Sequence, residues 1–260
     1  MSSPDRVSIP LLSQLIPEGL RPGTIFAVEF DPDSQWLALT ATIAAKYLQI
    51  GQRVTYVTST RPPESVKDHL ANLGVNVPAA IRDHSLVIDD WYTATLSGGR
   101  IDSEPGQTSI IESIDGGFRI RSLKVADLSV EWLKSSKQGW QPHDIAETWP
   151  PGALGVADSG SEMLRFNEEK AVLEWLMTRG WPNERKAKRI ILWGVSRGTH
   201  TESFYKRLEG STDGVIDVQV MERDGEAKNF LRIRSLKNQP SDGRWHEIEV
   251  KSNGEAGLST

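Results

Sequence analysis

Hydrophobic and polar positions along this chain keep switching between short unbroken apolar runs and a helical spacing. Residues 24–30 are apolar at almost every position and follow Pro22-Gly23, which marks a buried strand. Asp31, Pro32, Asp33 and Ser34 then make a turn rich in helix-capping side chains, and the pattern over 36–48 reads as a helix. Gly51 stops that helix, and residues 53–58 supply a second β-rich run. Strand, helix and strand at this spacing make a βαβ unit, so the pattern predicts a mainly parallel, twisted sheet covered by helices.

The alternation continues. A helix is predicted over 63–73 with Gly74 as its stop, a strand over 85–90, a hairpin within 110–123 around Asp115-Gly116-Gly117, and a short helix over 126–133. Residues 135–152, with Pro142, Pro150 and Pro151 among tryptophans, read as an ordered loop, because linkers are seldom this aromatic. A strand over 153–158 follows, then a helix over 168–179 capped by Asn167, and a strong strand over 188–195. Thr199 with Glu202 forms a capping box for a helix ending at Gly210. Residues 215–222 and 230–236 flank Asp224-Gly225 as an antiparallel hairpin, with one more strand over 245–250. Without internal repeats, the chain reads as one domain over 1–251, with 252–260 as a small, polar, flexible tail.

Composition narrows the chemistry. A chain of 260 residues suits one α/β domain with a sizeable core. Lys+Arg 30 against Asp+Glu 35 leaves a net charge of −5, the wrong sign for a dedicated nucleic-acid coat protein. Zero cysteines exclude disulfides, thiolate nucleophiles and cysteine-ligated metals, and fit a reducing cytoplasm. The first residues lack the basic-then-apolar order of a leader, and the longest uncharged apolar stretch, 35–45, falls short of the roughly 20 residues a bilayer needs. A soluble cytoplasmic protein is expected. The nine tryptophans outnumber the four tyrosines and the six phenylalanines, and such side chains are costly to place outside cores and interfaces.

Most polar clusters favour bland roles. His69, His84, His143, His200 and His246 lack metal-like spacing, and His84 beside Asp83, Asp89 and Asp90 reads as loop charge. Ser196-Arg197-Gly198-Thr199-His200 lies between a strand and a helix, but no G-x-S-x-G elbow accompanies it, so Thr199 is read as a cap. The basic groups Arg119, Arg121, Lys124 and Arg185, Lys186, Lys188, Arg189 are diluted by Asp127, Glu131 and Glu184.

Several runs, taken in order, carry a resemblance. They are Pro17-Glu18-Gly19-Leu20-Arg21-Pro22-Gly23-Thr24; Asp89-Asp90 at a strand end; Val156-Ala157-Asp158-Ser159 with Asn167-Glu168-Glu169-Lys170; Asp213-Gly214-Val215-Ile216; and Leu231-Arg232-Ile233-Arg234-Ser235-Leu236-Lys237 with Arg244-Trp245-His246-Glu247. Over nearly the whole chain their order resembles the RecA-like ATPases of the KaiC type, especially the single-domain archaeal ones. The resemblance implies a RecA-like P-loop NTPase fold with a C-terminal antiparallel hairpin extension. It also implies a nucleotide site, and self-association or pairing with an active relative.

The departures bear on function. Where the family has G-x-P-G-S-G-K-T, this chain has Phe30-Asp31-Pro32-Asp33-Ser34-Gln35-Trp36-Leu37. That loop needs glycines so that backbone N–H groups close around phosphates, and a lysine to neutralise them. Here Phe30, Asp33 and Gln35 replace the glycines, Trp36 the lysine and Leu37 the magnesium-binding hydroxyl, while Glu29, Asp31 and Asp33 reverse the charge. Trp36 is expected to fill the emptied phosphate pocket. Thr60 stands where the family carries its catalytic glutamate and cannot act as a carboxylate base. Ser235 and Lys237 fall where the family places residues that reach a neighbour's γ-phosphate, and Asp158 matches its magnesium aspartate. Asp158 reads equally as a strand-end residue bonded to a neighbouring loop. The leading expectation is a catalytically inactive, KaiC-like pseudo-ATPase with no cofactor and no metal, acting as a regulatory or scaffolding subunit through protein contacts. The alternatives are an ATPase that binds ATP and magnesium at a non-standard site, and a recombinase-like single-stranded DNA binder.

Overall fold

The computed structural model describes residues 6–92, 108–114, 117–123, 149–165 and 167–259. The helix expected over 126–133, with Lys124, Trp132, Trp140 and His143, lies outside them, as does most of the loop expected over 135–152.

A short helix α1 (Leu12–Leu15) precedes β1 (Ile25–Phe30), whose six residues are all buried. Helix α2 (Trp36–Gln49) crosses back to β2 (Val54–Thr58). Next come α3 (Pro63–Asn72), α4 (Val77–Arg82) and β3 (Leu86–Asp90). The hairpin β4 (Thr108–Ile114) and β5 (Gly117–Leu123) forms a separate two-stranded sheet. After β6 (Leu154–Ala157) come α5 (Ser161–Leu164), α6 (Glu169–Trp175), a π-helical turn (Leu176–Gly180), α7 (Trp181–Lys186) and β7 (Ile190–Ser196). Helix α8 (Glu202–Ser211) leads into β8 (Gly214–Arg223), β9 (Glu226–Leu236), β10 (His246–Val250) and β11 (Ala256–Leu258).

The main sheet runs β11-β10-β9-β8-β1-β7-β6-β2-β3. From β8 to β3 all neighbours are parallel, and β9 to β11 extend the sheet antiparallel. Since strand side chains alternate, β1 feeds two cores. Phe26, Val28 and Phe30 pack with α2, α3 and α4 on one face. Ile25 and Ala27 pack with Trp175, Trp181, Phe204 and Leu208 on the other. The β8–β9 turn places Asp224 at φ 57° and Gly225 at φ 78°, the left-handed pair that a two-residue hairpin requires.

Several boundaries differ from expectation for identifiable reasons. The tail is not free, because β11 pairs with β10 and Ala256 is fully buried. Thr42 of α2 accepts from the Ala256 N–H at 2.8 Å, and Lys46 meets Glu255 at 2.7 Å. Neither Asp33 nor Ser34 caps α2, which has Gln35 at its N-cap and no side-chain cap bond. Thr201, not Thr199, caps α8 by accepting from the Phe204 N–H, while the Thr199 hydroxyl donates to the Ser196 carbonyl. Asn167 donates to the Met163 carbonyl, and Glu168 holds the N-cap position of α6. The single helix expected over 168–179 is instead α6, the π-turn and α7. Pro182, without an N–H and bulky against the preceding carbonyl, follows the widened turn at the start of α7.

Candidate functional site

In a sheet of this topology the carboxyl ends of the parallel strands form the natural ligand edge. The loop after β1 is closed at that edge. The Asp31 N–H donates to the Val218 carbonyl at 2.9 Å, and the Ser34 N–H to the Asp31 carbonyl at 2.9 Å. The Gln35 N–H donates to Asn229 Oδ1 on β9 at 2.8 Å. Asp31 Oδ2 in turn accepts from the Val220 N–H at 2.9 Å. These backbone donors face protein partners.

Trp36, on the first turn of α2, is 1 % exposed. Its ring stacks on Phe30, with centroids 5.8 Å apart and planes 22° apart. Its Nε1 donates to the Asp158 carbonyl at 2.8 Å. Gly194 on β7 makes the room, since a Cβ there would stand 2.8 Å from Trp36 Nε1 and 2.6 Å from the Asp158 carbonyl oxygen. Leu37 packs against the same core, while Pro32, Asp33 and Gln35 are exposed.

The Asp158 side chain, at the end of β6, is buried and engaged by the loop after β2. Ser59 N–H donates to Oδ1 at 2.8 Å, the Ser59 hydroxyl lies 2.6 Å from the same oxygen, and Thr60 Oγ1 donates to Oδ2 at 2.9 Å. Thr60 and Asp158, matched separately to the resembled family, are thus direct hydrogen-bond partners. Behind them the Tyr56 hydroxyl meets Thr40 Oγ1 and Arg61 Nη2, each at 2.9 Å, and burial pushes its phenol up.

The opposite face of the same strand end carries charge. Glu29 Oε1 lies 2.7 Å from Arg234, and Glu29 Oε2 lies 3.8 Å from Arg197. The fully buried Asp217 meets Arg197 at 3.3 Å, Arg232 at 2.8 Å and Arg234 at 3.2 Å. Arg234 also reaches Glu209 at 3.2 Å, and Arg197 reaches Asp31 at 3.5 Å. Burial, then the neighbouring Glu209 carboxyl, pushes Glu29 up to about 7 against the pull of Arg234. The sequence pointed to Glu29 and Asp31 as loop-mouth charges; what it did not reveal is that Arg197 and Arg234 converge on them, and that Asp217 gathers both of these and Arg232.

Lys237 turns inward to its own fold, its Nζ donating to the Gly210 carbonyl at 2.9 Å and the Thr212 carbonyl at 2.5 Å, at the end of α8. Ser235 is an exposed residue of β9, paired with Val215. His84 follows α4 in a left-handed conformation at φ 54°. Among the described residues no group of three His, Cys, Asp or Glu side chains is arranged to hold a metal ion. No helix among them is long and apolar enough to cross a membrane.

No family model matches the sequence. Among solved structures, the chain is similar to a KaiC-like protein from the hyperthermophilic archaeon Pyrococcus horikoshii OT3, with 15 % identity, TM-score 0.67, and 98 % of this chain and 99 % of that one covered. It is likewise similar to the flagellar accessory protein FlaH from Methanocaldococcus jannaschii, with 14 % identity, TM-score 0.69 and the same coverage. A mostly parallel sheet flanked by helices, closed by a C-terminal antiparallel extension and aligned end to end with these two structures, gives this chain the RecA-like fold of the KaiC-like and FlaH proteins.

Proposed function

We propose that this chain is a KaiC-like pseudo-ATPase, silent at its nucleotide site: a cytoplasmic regulatory or scaffolding subunit that works through protein–protein contact and uses neither ATP nor magnesium. The observation that carries the reading is the burial of Trp36 and its bond to the Asp158 carbonyl at 2.8 Å. Holding a triphosphate requires open backbone N–H groups and a cation at the start of the first helix. The loop N–H groups of Asp31, Ser34 and Gln35 are spent on protein acceptors, and an indole takes the cation's place. Thr60 cannot accept a proton from water, and Asp158 would have to release Ser59 and Thr60 before serving a metal. A second copy of this chain or an active KaiC-like ATPase is the partner the resemblance implies; nucleic acid and membrane are not.

Calorimetric titration with magnesium-ATP tests the silent site. No binding heat is expected up to millimolar nucleotide; a micromolar Kd would overturn the proposal. Titration with a single-stranded oligonucleotide at two salt concentrations is expected to show no salt-dependent binding, and such binding would favour a DNA-binding role instead.

A further inference from the structure

Topology brings three residues from different elements together at the carboxyl edge of the sheet, outside the Trp36 pocket. Ser161 begins α5 directly after the β6 turn, His200 lies in the turn between β7 and α8, and Glu169 begins α6. Ser161 Oγ and His200 Nε2 are 2.8 Å apart. The Ser196 N–H donates to the same Oγ at 2.9 Å, and with the ring proton on Nδ1, the side facing Glu169, Nε2 accepts from the serine hydroxyl. His200 Nδ1 stands 3.7 Å from Glu169 Oε1. Glu169 is itself fixed by the Thr201 N–H at 2.9 Å and the Thr201 hydroxyl at 2.5 Å. The imidazole is flanked by Phe204 and Tyr205, with ring centroids 4.9 Å and 5.9 Å away.

We propose that Ser161, His200 and Glu169 form a nucleophilic acyl-transfer site for small ester or activated-acyl substrates. The order along the chain is serine, acid, histidine, with the first two in the connection between β6 and β7 and the histidine in the turn after β7, an order that suits this chemistry. The turn that carries the serine is tight: the Gly160 N–H donates to the Gly194 carbonyl at 2.6 Å, and a Cβ at 160 would stand 2.2 Å from Trp193 Nε1. Ser161 is half-buried and keeps an exposed side, unlike the closed Trp36. Burial lowers the His200 pKa although the Glu169 charge opposes it, which keeps the imidazole neutral and able to accept a proton.

In the reaction, Ser161 Oγ attacks the ester carbonyl as its proton passes to His200 Nε2. The carbon–alkoxide bond then breaks, and the leaving alcohol takes that proton. Water attacks the acyl-serine with its own proton going to His200, and the carboxylic product departs as Ser161 Oγ regains a proton. Glu169 positions the ring and stabilises the imidazolium while it exists. None of this depends on whether the nucleotide site is silent.

Labelling of the full chain with a fluorophosphonate probe, read by intact mass and peptide mapping, tests the site. A single adduct on Ser161 is expected, absent in Ser161→Ala. The labelling rate should fall by about 100-fold or more in His200→Gln, the usual contribution of a general base, and by less in Glu169→Gln. In the wild-type chain the rate should rise with pH through a single titration below the ordinary imidazole range, a readout that needs no variant to fold. No adduct on Ser161, an adduct whose rate is unchanged in folded His200→Gln, or a pH-independent rate would overturn the proposal.

Discussion

Glu29 and Phe30 are consecutive residues of β1, yet they end in opposite environments. Phe30 turns toward α2 and stacks on Trp36, whose Nε1 donates to the Asp158 carbonyl. Glu29 turns to the other face, among Arg197, Arg234, Glu209 and Asp217. The strand's alternation alone makes this division. One face seals the ligand edge by packing, which is insensitive to pH; the other seals it by charge. Glu29, Asp31, Glu209 and Asp217 outnumber Arg197, Arg232 and Arg234 by four to three, so a proton on Glu29 brings the cluster to balance.

The packing face should give the largest response. Trp36→Ala removes a buried indole and its bond to Asp158, and should cost about 3–5 kcal/mol in urea unfolding. A loss under about 1 kcal/mol would mean that the indole fills nothing essential, and the contrast between the faces would fail. Magnesium-ATP should still not bind this variant, because the loop N–H groups remain committed to Val218, Asp31 and Asn229.

The charged face should respond to pH where the packed one does not. Glu29 titrates near 7 in the folded chain against 4.5 for an ordinary glutamate, so the folded state holds its proton more tightly between those values. Stability from this group is therefore full below about pH 4.5, declines as pH rises to about 7, and is flat above. The loss should be on the order of 3 kcal/mol, because the rise from 4.5 to about 7 is worth about 1.4 kcal/mol for each pH unit. Glu29→Gln should remove this slope and be more stable than wild type at pH 8. Parallel stability curves for the two proteins would show that Glu29 is ordinary.

Gly194 is where the packed face meets β7. Gly194→Ala puts a methyl 2.6 Å from the Asp158 carbonyl oxygen and 2.8 Å from Trp36 Nε1. The expected cost is about 1–3 kcal/mol by overpacking. In a double-mutant cycle with Trp36→Phe, which deletes Nε1, that cost should shrink. Strictly additive losses would separate the glycine from the indole.

The parallel core was legible because its signals are local: β1, α2 and β2 follow from a buried run, a helical spacing and Gly51, which adopts φ 78°. The caps were displaced because Thr199 and Thr201 are chemically alike, and only the register of α8 decides which hydroxyl faces the Phe204 N–H. Strand β11 was invisible because its partners, Thr42 and β10, are supplied by the fold and not by its neighbours in the chain. At the site, Trp36 could be singled out by its position after β1, but not the glycine that admits it. Ser161 and His200 are 39 residues apart, and only the neighbouring ends of β6 and β7 bring them to 2.8 Å.

The smallest effect tests how the packed face is finished. Thr60 Oγ1 donates to Asp158 Oδ2 at 2.9 Å, while Ser59 supplies both its N–H and its hydroxyl to Oδ1. Thr60→Val keeps the shape and deletes one donor, so it should cost about 1 kcal/mol, somewhat more if the carboxylate oxygen is left dry. Thr60→Glu is the sharper change, since it restores the carboxylate that the resembled ATPases carry there but sets it against Asp158. If Asp158 is a strand-end residue that needs donors, Thr60→Glu should unfold at lower urea than Thr60→Val and still bind no nucleotide. If Thr60→Glu were instead stabilised by added magnesium, Asp158 would be a cation ligand held in reserve, and the packed face would be a site that had lost one residue, not one closed by many.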